Sequence, residues 1–267
     1  MREELARFNR QYDTTEVHNS EKGTYGRVQL TGCSPLFKSL DKIGATTLSA
    51  APLNMEQVGQ DFGYILYSSV IHGPIEELPL IIENVHDRAH IFLDGKLSGI
   101  IERSGRKDEI RIGLGKGESV RIDILVENCG RVNYGVKLFD KKGIVGGVRL
   151  GQRYHFGWEI TSLTMDDLAA LDFSSPVTQD AIPAFLTGEL EISGKPKDTF
   201  LRLFGFHKGF VTVNGFNLGR YWNDRGPQKT LYVPAPVLRE GKNRITVFET
   251  EGFATPYIEF IDEPELG

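Results

Sequence analysis

The densest set of chemistry-bearing residues is Glu127-Asn-Cys-Gly-Arg-Val-Asn-Tyr-Gly135, which follows a strongly apolar run. A carboxylate, two side-chain amides, a guanidinium and a phenol crowd around two glycines. Such a loop can recognise a ligand by hydrogen bonds, with Tyr134 as a ring for a sugar to stack on. The same spacing suits a structural corner in which Arg131 pairs with Glu127 and Asn133 caps the turn. Spacing alone leaves both readings open.

Other constellations are weaker. His86 and His90 are four apart, which seats a metal when both lie on one helix. Here Asp87-Arg-Ala leads straight into a strand with no third ligand nearby, so no metal is expected and the pair reads as strand-end histidines. Glu76/Glu77, Asp166/Asp167 and Glu249/Glu251 are carboxylate pairs of the type that glycoside hydrolysis uses. Each sits among polar neighbours in a loop or at a strand end, where solvation holds the pKa at its ordinary value and a general acid is not made. The sequence contains no Gly-x-Ser-x-Gly elbow and no phosphate-binding glycine loop. Gly113-Leu-Gly115-Lys-Gly117 reads as a hairpin turn. No catalytic residue and no cofactor is therefore expected.

The elements that position these residues are strands. The chain carries 30 Gly and 12 Pro, and these punctuate short alternating runs. His90-Ile-Phe-Leu-Asp-Gly-Lys-Leu-Ser-Gly99 is echoed by Phe210-Val-Thr-Val-Asn-Gly-Phe-Asn-Leu-Gly219. Asp-Gly and Asn-Gly suit the left-handed positions of a type I′ turn, so each segment predicts a hairpin. Downstream, the strand from Lys116 to Asn128 is echoed by that from Glu240 to Glu249, each following a polar Gly turn and running to a glutamate. Ile122, Ile124 and Val126 share one face, ready to pack on a second sheet. The fold class is thus all-β, with two β-sandwich or jelly-roll modules. Helical spacing occurs only over Arg2–Phe8 and Met165–Leu171. We expect 1–48 to be a partly irregular linker and 49–157 the first sandwich. The segment 158–183 would be a connection with a short helix, and 184–267 the second sandwich.

Composition sets limits. The net charge of −5, without a basic cluster interleaved with aromatics, argues against nucleic acid as a partner. Apolar runs such as Leu78–Ile82 are far too short to span a bilayer, so no membrane partner is expected. Cys33 and Cys129 form no framework and read as free thiols in a reducing compartment. With no export signal, the expected localisation is cytoplasmic.

At the loop cluster the chain resembles a known family. Glu127 to Gly135 is similar to a motif in the first β domain of family 35 glycoside hydrolases, the β-galactosidases. Met55-Glu-Gln-Val-Gly-Gln-Asp-Phe-Gly-Tyr-Ile-Leu-Tyr67 and His86-Asp-Arg-Ala-His-Ile-Phe-Leu-Asp-Gly95 resemble the same region. Lys208-Gly-Phe-Val-Thr-Val-Asn-Gly-Phe-Asn-Leu-Gly-Arg-Tyr-Trp222 and Gly226-Pro-Gln-Lys-Thr-Leu-Tyr-Val-Pro234 resemble its terminal galactose-binding-like domain. The resemblance implies retaining hydrolysis of terminal β-galactose by two glutamates of a (β/α)₈ barrel, and a barrel needs roughly 250 residues that this chain lacks. The chain would then be a C-terminal β portion, inactive alone, whose partners are its own barrel and a galactoside, with homo-oligomers left open; the alternative is an autonomous carbohydrate-binding module. Tyr134 is implied to approach the galactose pocket, with Asn133 and Arg131 shaping its loop. Trp158, Tyr221 and Trp222 would be either sugar-stacking platforms or aromatic anchors at a domain interface.

Overall fold

The computed structural model describes residues 20–267; the helical reading of Arg2–Phe8 lies outside the described residues. Two compact units form, with boundaries different from those expected. One is Lys38–Leu171, and the other joins the described chain up to Phe37 with Asp172–Gly267.

Strand β1 (Gly26–Pro35) accounts for the difference. Arg27, Gln29 and Thr31 are exposed while Val28 and Leu30 are buried, a period-2 alternation that makes one face apolar. The stretch expected as linker is therefore a sandwich strand. A bulge at Leu30–Gly32 separates a first half, paired to Tyr257–Ile261, from a second half paired to Ala184–Ile192. By bending there, β1 passes from one sheet of its module to the other.

The Lys38–Leu171 module contains β2 (Ala45–Ser49), β3 (Tyr64–His72), β4 (Ile75–Ile82), β5 (Val85–His86), β6 (Arg88–Leu93) and β7 (Lys96–Glu102). It continues with β8 (Ile110–Leu114), β9 (Ser119–Glu127), β10 (Gly143–Ile144), β11 (Val148–Leu150), β12 (Arg153–Tyr154) and β13 (Trp158–Leu163). A six-stranded sheet runs β2-β13-β3-β9-β6-β7 and a four-stranded sheet runs β12-β11-β4-β8. Ile122, Ile124 and Val126 of β9 share one core with Leu80, Ile82, Ile110 and Ile112 of the smaller sheet. The expected face of β9 packs into this core, and Asp123, Leu125 and Glu127 on its other face are buried as well.

β13 also corrects the expected boundary: Trp158–Leu163 pairs with both β2 and β3, so it closes the first sandwich. The helix expected over Met165–Leu171 is absent. Met165 adopts the left-handed conformation with φ of 64°, and the Asp167 carboxylate accepts the Ala169 amide at 2.8 Å. That side-chain bond competes with helical pairing.

The second module adds β14 (Ala184–Ile192), β15 (Thr199–Arg202), β16 (Lys208–Val213), β17 (Phe216–Trp222), β18 (Thr230–Val233), β19 (Gly241–Glu249) and β20 (Tyr257–Ile261). Its strands run β17-β16-β19-β14-β1-β20-β15-β18. The order β17-β16-β19-β14 repeats β7-β6-β9-β3 of the first module. The repetition reaches single atoms. Asp94-Gly95 and Asn214-Gly215 all have positive φ, as a type I′ turn demands. The Asp94 carboxylate accepts the Arg121 amide at 2.9 Å, and the Asn214 side chain accepts the Arg244 amide at 3.0 Å.

Candidate functional site

The cluster flagged in the sequence forms the long excursion between β9 and β10, and its two ends are fastened by charge. Asn128 is buried, gives its side-chain NH₂ to the Asp61 carbonyl at 3.0 Å and accepts the Gly130 amide at 2.9 Å. The Glu56 carboxylate receives Arg131 Nη1 at 2.6 Å from the loop's start and the Lys142 amide at 3.1 Å from its end. Asp87 does the same, taking the Cys129 amide at 2.9 Å and Lys142 Nζ at 2.8 Å. Asp140 accepts Arg103 Nη2 at 2.9 Å and lies 3.3 Å from Lys142 Nζ. Three carboxylates thus face Arg103, Arg131 and Lys142, so the charges at the base are paired.

These pairings set the titration of the base. The Arg103 guanidinium holds Asp140 down at about 2. Burial would raise Glu56, but the Arg131 side chain and the Lys142 amide hold it below its ordinary value. Arg131 also donates Nε to the Asp61 carbonyl at 2.8 Å, so a fixed fork satisfies several acceptors at one corner. This is the structural corner weighed above, with one correction. Arg131 pairs with Glu56 rather than Glu127, because Glu127 is buried at the end of β9.

Beyond the base everything is exposed. Tyr134 is 88% exposed, Val136 99% and Phe139 89%, with Val132 and Leu138 also open and Asn133 exposed beside them. Five large apolar side chains are thus bare on one fastened loop. Gly130 and Gly135 both take positive φ along this segment.

The aromatic candidates fare differently. Trp158 is 1% exposed, lies in the first core and donates Nε1 to the His155 carbonyl at 3.2 Å. Tyr221 is 5% exposed, lies in the second core and reaches Glu249 Oε2 at 2.9 Å. Neither is a sugar platform or an interface anchor, because strand register turns both rings inward. Trp222 is half-buried and covered by cations, with Lys208 Nζ 4.3 Å and Arg225 5.1 Å from its ring.

Sequence reasoning missed two groupings. Ser69 Oγ lies 2.8 Å from His155 Nε2, a serine–histidine contact whose members are 86 residues apart. Ser69 also donates to the Gly157 carbonyl at 2.6 Å. Its proton is committed there, so His155 acts as donor and no nucleophile is made. Glu249, expected to be solvated, is fully buried. It accepts the amides of His207, Lys208, Glu251 and Gly252, and burial pushes its carboxyl up to about 7. His86 and His90 lie on strands β5 and β6, and His86 Nδ1 meets the Lys141 carbonyl at 2.7 Å.

Comparison with known proteins places this geometry. Residues 52–164 match the model of the "Beta-galactosidase, first all-beta domain", and 183–243 match that of the "Beta-galactosidase, galactose-binding domain". The chain belongs to the β-galactosidase family. "Beta-galactosidase-1-like protein 2" of Homo sapiens is 41% identical over 87% of this chain and 37% of its own length. "Beta-galactosidase 17" of Arabidopsis thaliana is 34% identical over 96% of this chain and 40% of its own. The "Beta-galactosidase" of Bos taurus is 34% identical, covering 92% and 42%. The chain thus spans about two fifths of the length of these curated relatives. What it carries is a non-catalytic β region of the β-galactosidase family. The first match includes the whole fastened loop, whereas Glu249 and β20 lie beyond the second.

Proposed function

We propose that this chain is the β region of a β-galactosidase, acting with a catalytic barrel through the loop from Cys129 to Asp140. The polypeptide as a whole would hydrolyse terminal β-galactosides with retention, by two barrel carboxylates about 5 Å apart. The observation that carries the reading is the contrast within the loop: a base of paired charges and a tip of bare Tyr134, Val136 and Phe139. Fixing the base lowers the entropy lost when the tip is covered, which is what a preorganised contact needs. Val136 and Phe139 would pack on the barrel, and the Tyr134 ring and hydroxyl would border the galactoside.

Tyr134→Ala in the full-length polypeptide, assayed on a chromogenic β-galactoside, tests this. We expect kcat/KM to fall by about tenfold or more, roughly 1.4 kcal/mol of transition-state stabilisation. The melting temperature should hold, because so exposed a ring contributes little to the module's own core. Unchanged kinetics would refute the role of Tyr134.

A further inference from the structure

The six-stranded sheet of the first module ends on one side at β2. β2 pairs with β13 over Ala45–Ser49 without a bulge, and among the described residues nothing pairs with its other side. An open edge presents a row of main-chain donors and acceptors to any strand that aligns with it. Folded proteins blunt such edges with charge, proline or a bulge. The other sheet edges of this module are blunted in that way. β7 carries Lys96, Glu102 and a bulge against β6, β8 carries Arg111, and β12 carries Arg153. Ala-Thr-Thr-Leu-Ser has none of these devices, and its Leu48 is 77% exposed.

The register decides which groups this edge presents. The Gly157 amide donates to the Ala50 carbonyl at 2.9 Å, so the main chain of Ala50 turns toward β13. Antiparallel pairing alternates, so Leu48 and Thr46 turn the same way. Ala45, Thr47 and Ser49 then aim their N–H and C=O groups outward. Those three positions are symmetric about Thr47. A second β2, related by a two-fold axis at Thr47, matches the first group for group. Thr47 exchanges both of its bonds with Thr47 of the copy, and Ala45 exchanges its bonds with Ser49.

Side chains fit the same axis. On the outer face Leu48 falls opposite Thr46 of the copy, and the two Leu48 side chains meet on a diagonal of about 7–8 Å. The charged residue that pairs with β2 is Glu159, which faces Arg121 at 3.9 Å. Across the axis it stands three strand spacings from its own copy, about 14 Å. That exceeds the roughly 8 Å over which salt leaves exposed charges unscreened, so like charges do not oppose the approach.

From the uncharged edge and its symmetric register we propose that β2 is an interface for a second copy of this chain. The copy adds antiparallel at Thr47 and joins two six-stranded sheets into one. An unrelated strand would match the main-chain groups alone, whereas the copy also sets each Leu48 against a Thr46. The contact is small, so the association is weak and reversible. It needs neither a barrel nor the tip of the fastened loop.

Sedimentation velocity and hydrogen exchange on the 267-residue chain, from about 20 to about 500 μM, test this. We expect half of the chains to be dimeric near about 100 μM. Exchange at Ala45, Thr47 and Ser49 should slow about threefold at the top of that range, while Thr46 and Leu48 stay unchanged. Thr47→Pro removes an outward amide and no bond to β13, so it should weaken dimerisation about tenfold with unchanged melting temperature. Leu48→Lys should do the same from the side-chain face. Val136→Ser combined with Phe139→Ser, which strips the loop tip, should leave the dimer intact. A chain that stays monomeric to about 500 μM would overturn the proposal, as would dimers unweakened by both β2 variants or abolished by the loop-tip pair. Protection of 45, 47 and 49 in the dilute full-length polypeptide, but never in the concentrated chain, would give the edge to another segment and overturn it too.

Discussion

Replacing Glu249 by Gln should make the second module more stable above neutral pH, although it removes a carboxylate that accepts hydrogen bonds from five groups. Its carboxyl titrates near 7 in the folded chain against an ordinary 4.5, because burial opposes the charge more than the donors favour it. A raised carboxyl favours folding while protonated. That contribution is complete below about pH 4.5 and is lost as pH rises through 7. A gap of about 2.5 pH units corresponds to roughly 3 kcal/mol. Gln has the shape of the protonated acid and does not titrate. It can keep the acceptor facing Lys208, Glu251 and Gly252, while the Tyr221 hydroxyl turns to donate to the Phe248 carbonyl, 3.0 Å away. The His207 amide, 2.9 Å from the other oxygen, then faces an NH₂ and loses its acceptor, a cost of about 1 kcal/mol at every pH.

The two tryptophans fall one in each module, so Trp158→Phe leaves Trp222 as the reporter for this one. In that background, urea unfolding should place Glu249→Gln about 1 kcal/mol below the parent at pH 4, the cost of the His207 donor. By pH 8 the variant should lead by about 2 kcal/mol, a midpoint shift of roughly 1 M for a module of this size. A difference independent of pH, or a variant less stable at pH 8, would refute the reasoning.

Three further outcomes follow from the same geometry. Lys142→Met leaves Asp87 and Asp140 facing each other without their buried cation, and should cost the first module about 3 kcal/mol. Hydrogen exchange at Cys129 should quicken, and adding Asp87→Asn should recover part of the loss. Asp140, held near 2 by Arg103, contributes stability that is present above about pH 4 and lost as pH falls toward 2. Asp140→Asn should flatten that acid limb, as read by Trp158 fluorescence, and cost about 1–2 kcal/mol at pH 7. Gly209→Ala should unfold the second module at 37 °C or cost more than about 3 kcal/mol in urea, because the new Cβ would stand 1.7 Å from the Phe248 carbonyl oxygen.

Local chemistry was legible in the sequence where it is dictated locally. Asp94-Gly95 and Asn214-Gly215 announced their hairpins because few other residues adopt consecutive positive φ cheaply. β9 announced its face by alternation. Partners far along the chain were less legible. β1 shows the same alternation at Val28 and Leu30, but its neighbours β14 and β20 lie some 150 to 230 residues on. Nothing local distinguishes such a strand from polar linker. The direction of an aromatic ring was illegible for the same reason: Trp158 and Tyr221 are buried by strand register, whereas Phe204, in the turn just before Gly205, is exposed. In Leu-Phe-Gly-Phe all three large residues read alike until the turn sorts them.

The repeat is most informative where it fails. Both closing strands run to a glutamate in the sequence, but pairing shows that the two are not equivalent. Leu93 sits opposite Ile122 and Val213 opposite Ile245, so counting along the strands sets Glu249 level with Val126, not with Glu127. Val126 fills the first core, and Glu249 occupies the matching inward position. The carboxylate is tolerated there because the turn after it folds back, delivering the amides of Glu251 and Gly252. In the first module an apolar residue needs no such turn, and the chain leaves β9 as the fastened loop that carries Tyr134. At one corner of a shared scaffold, one module spends its loop on satisfying a buried charge, while the other is free to present it. That freedom is a physical reason for the proposed contact surface to sit on the first module.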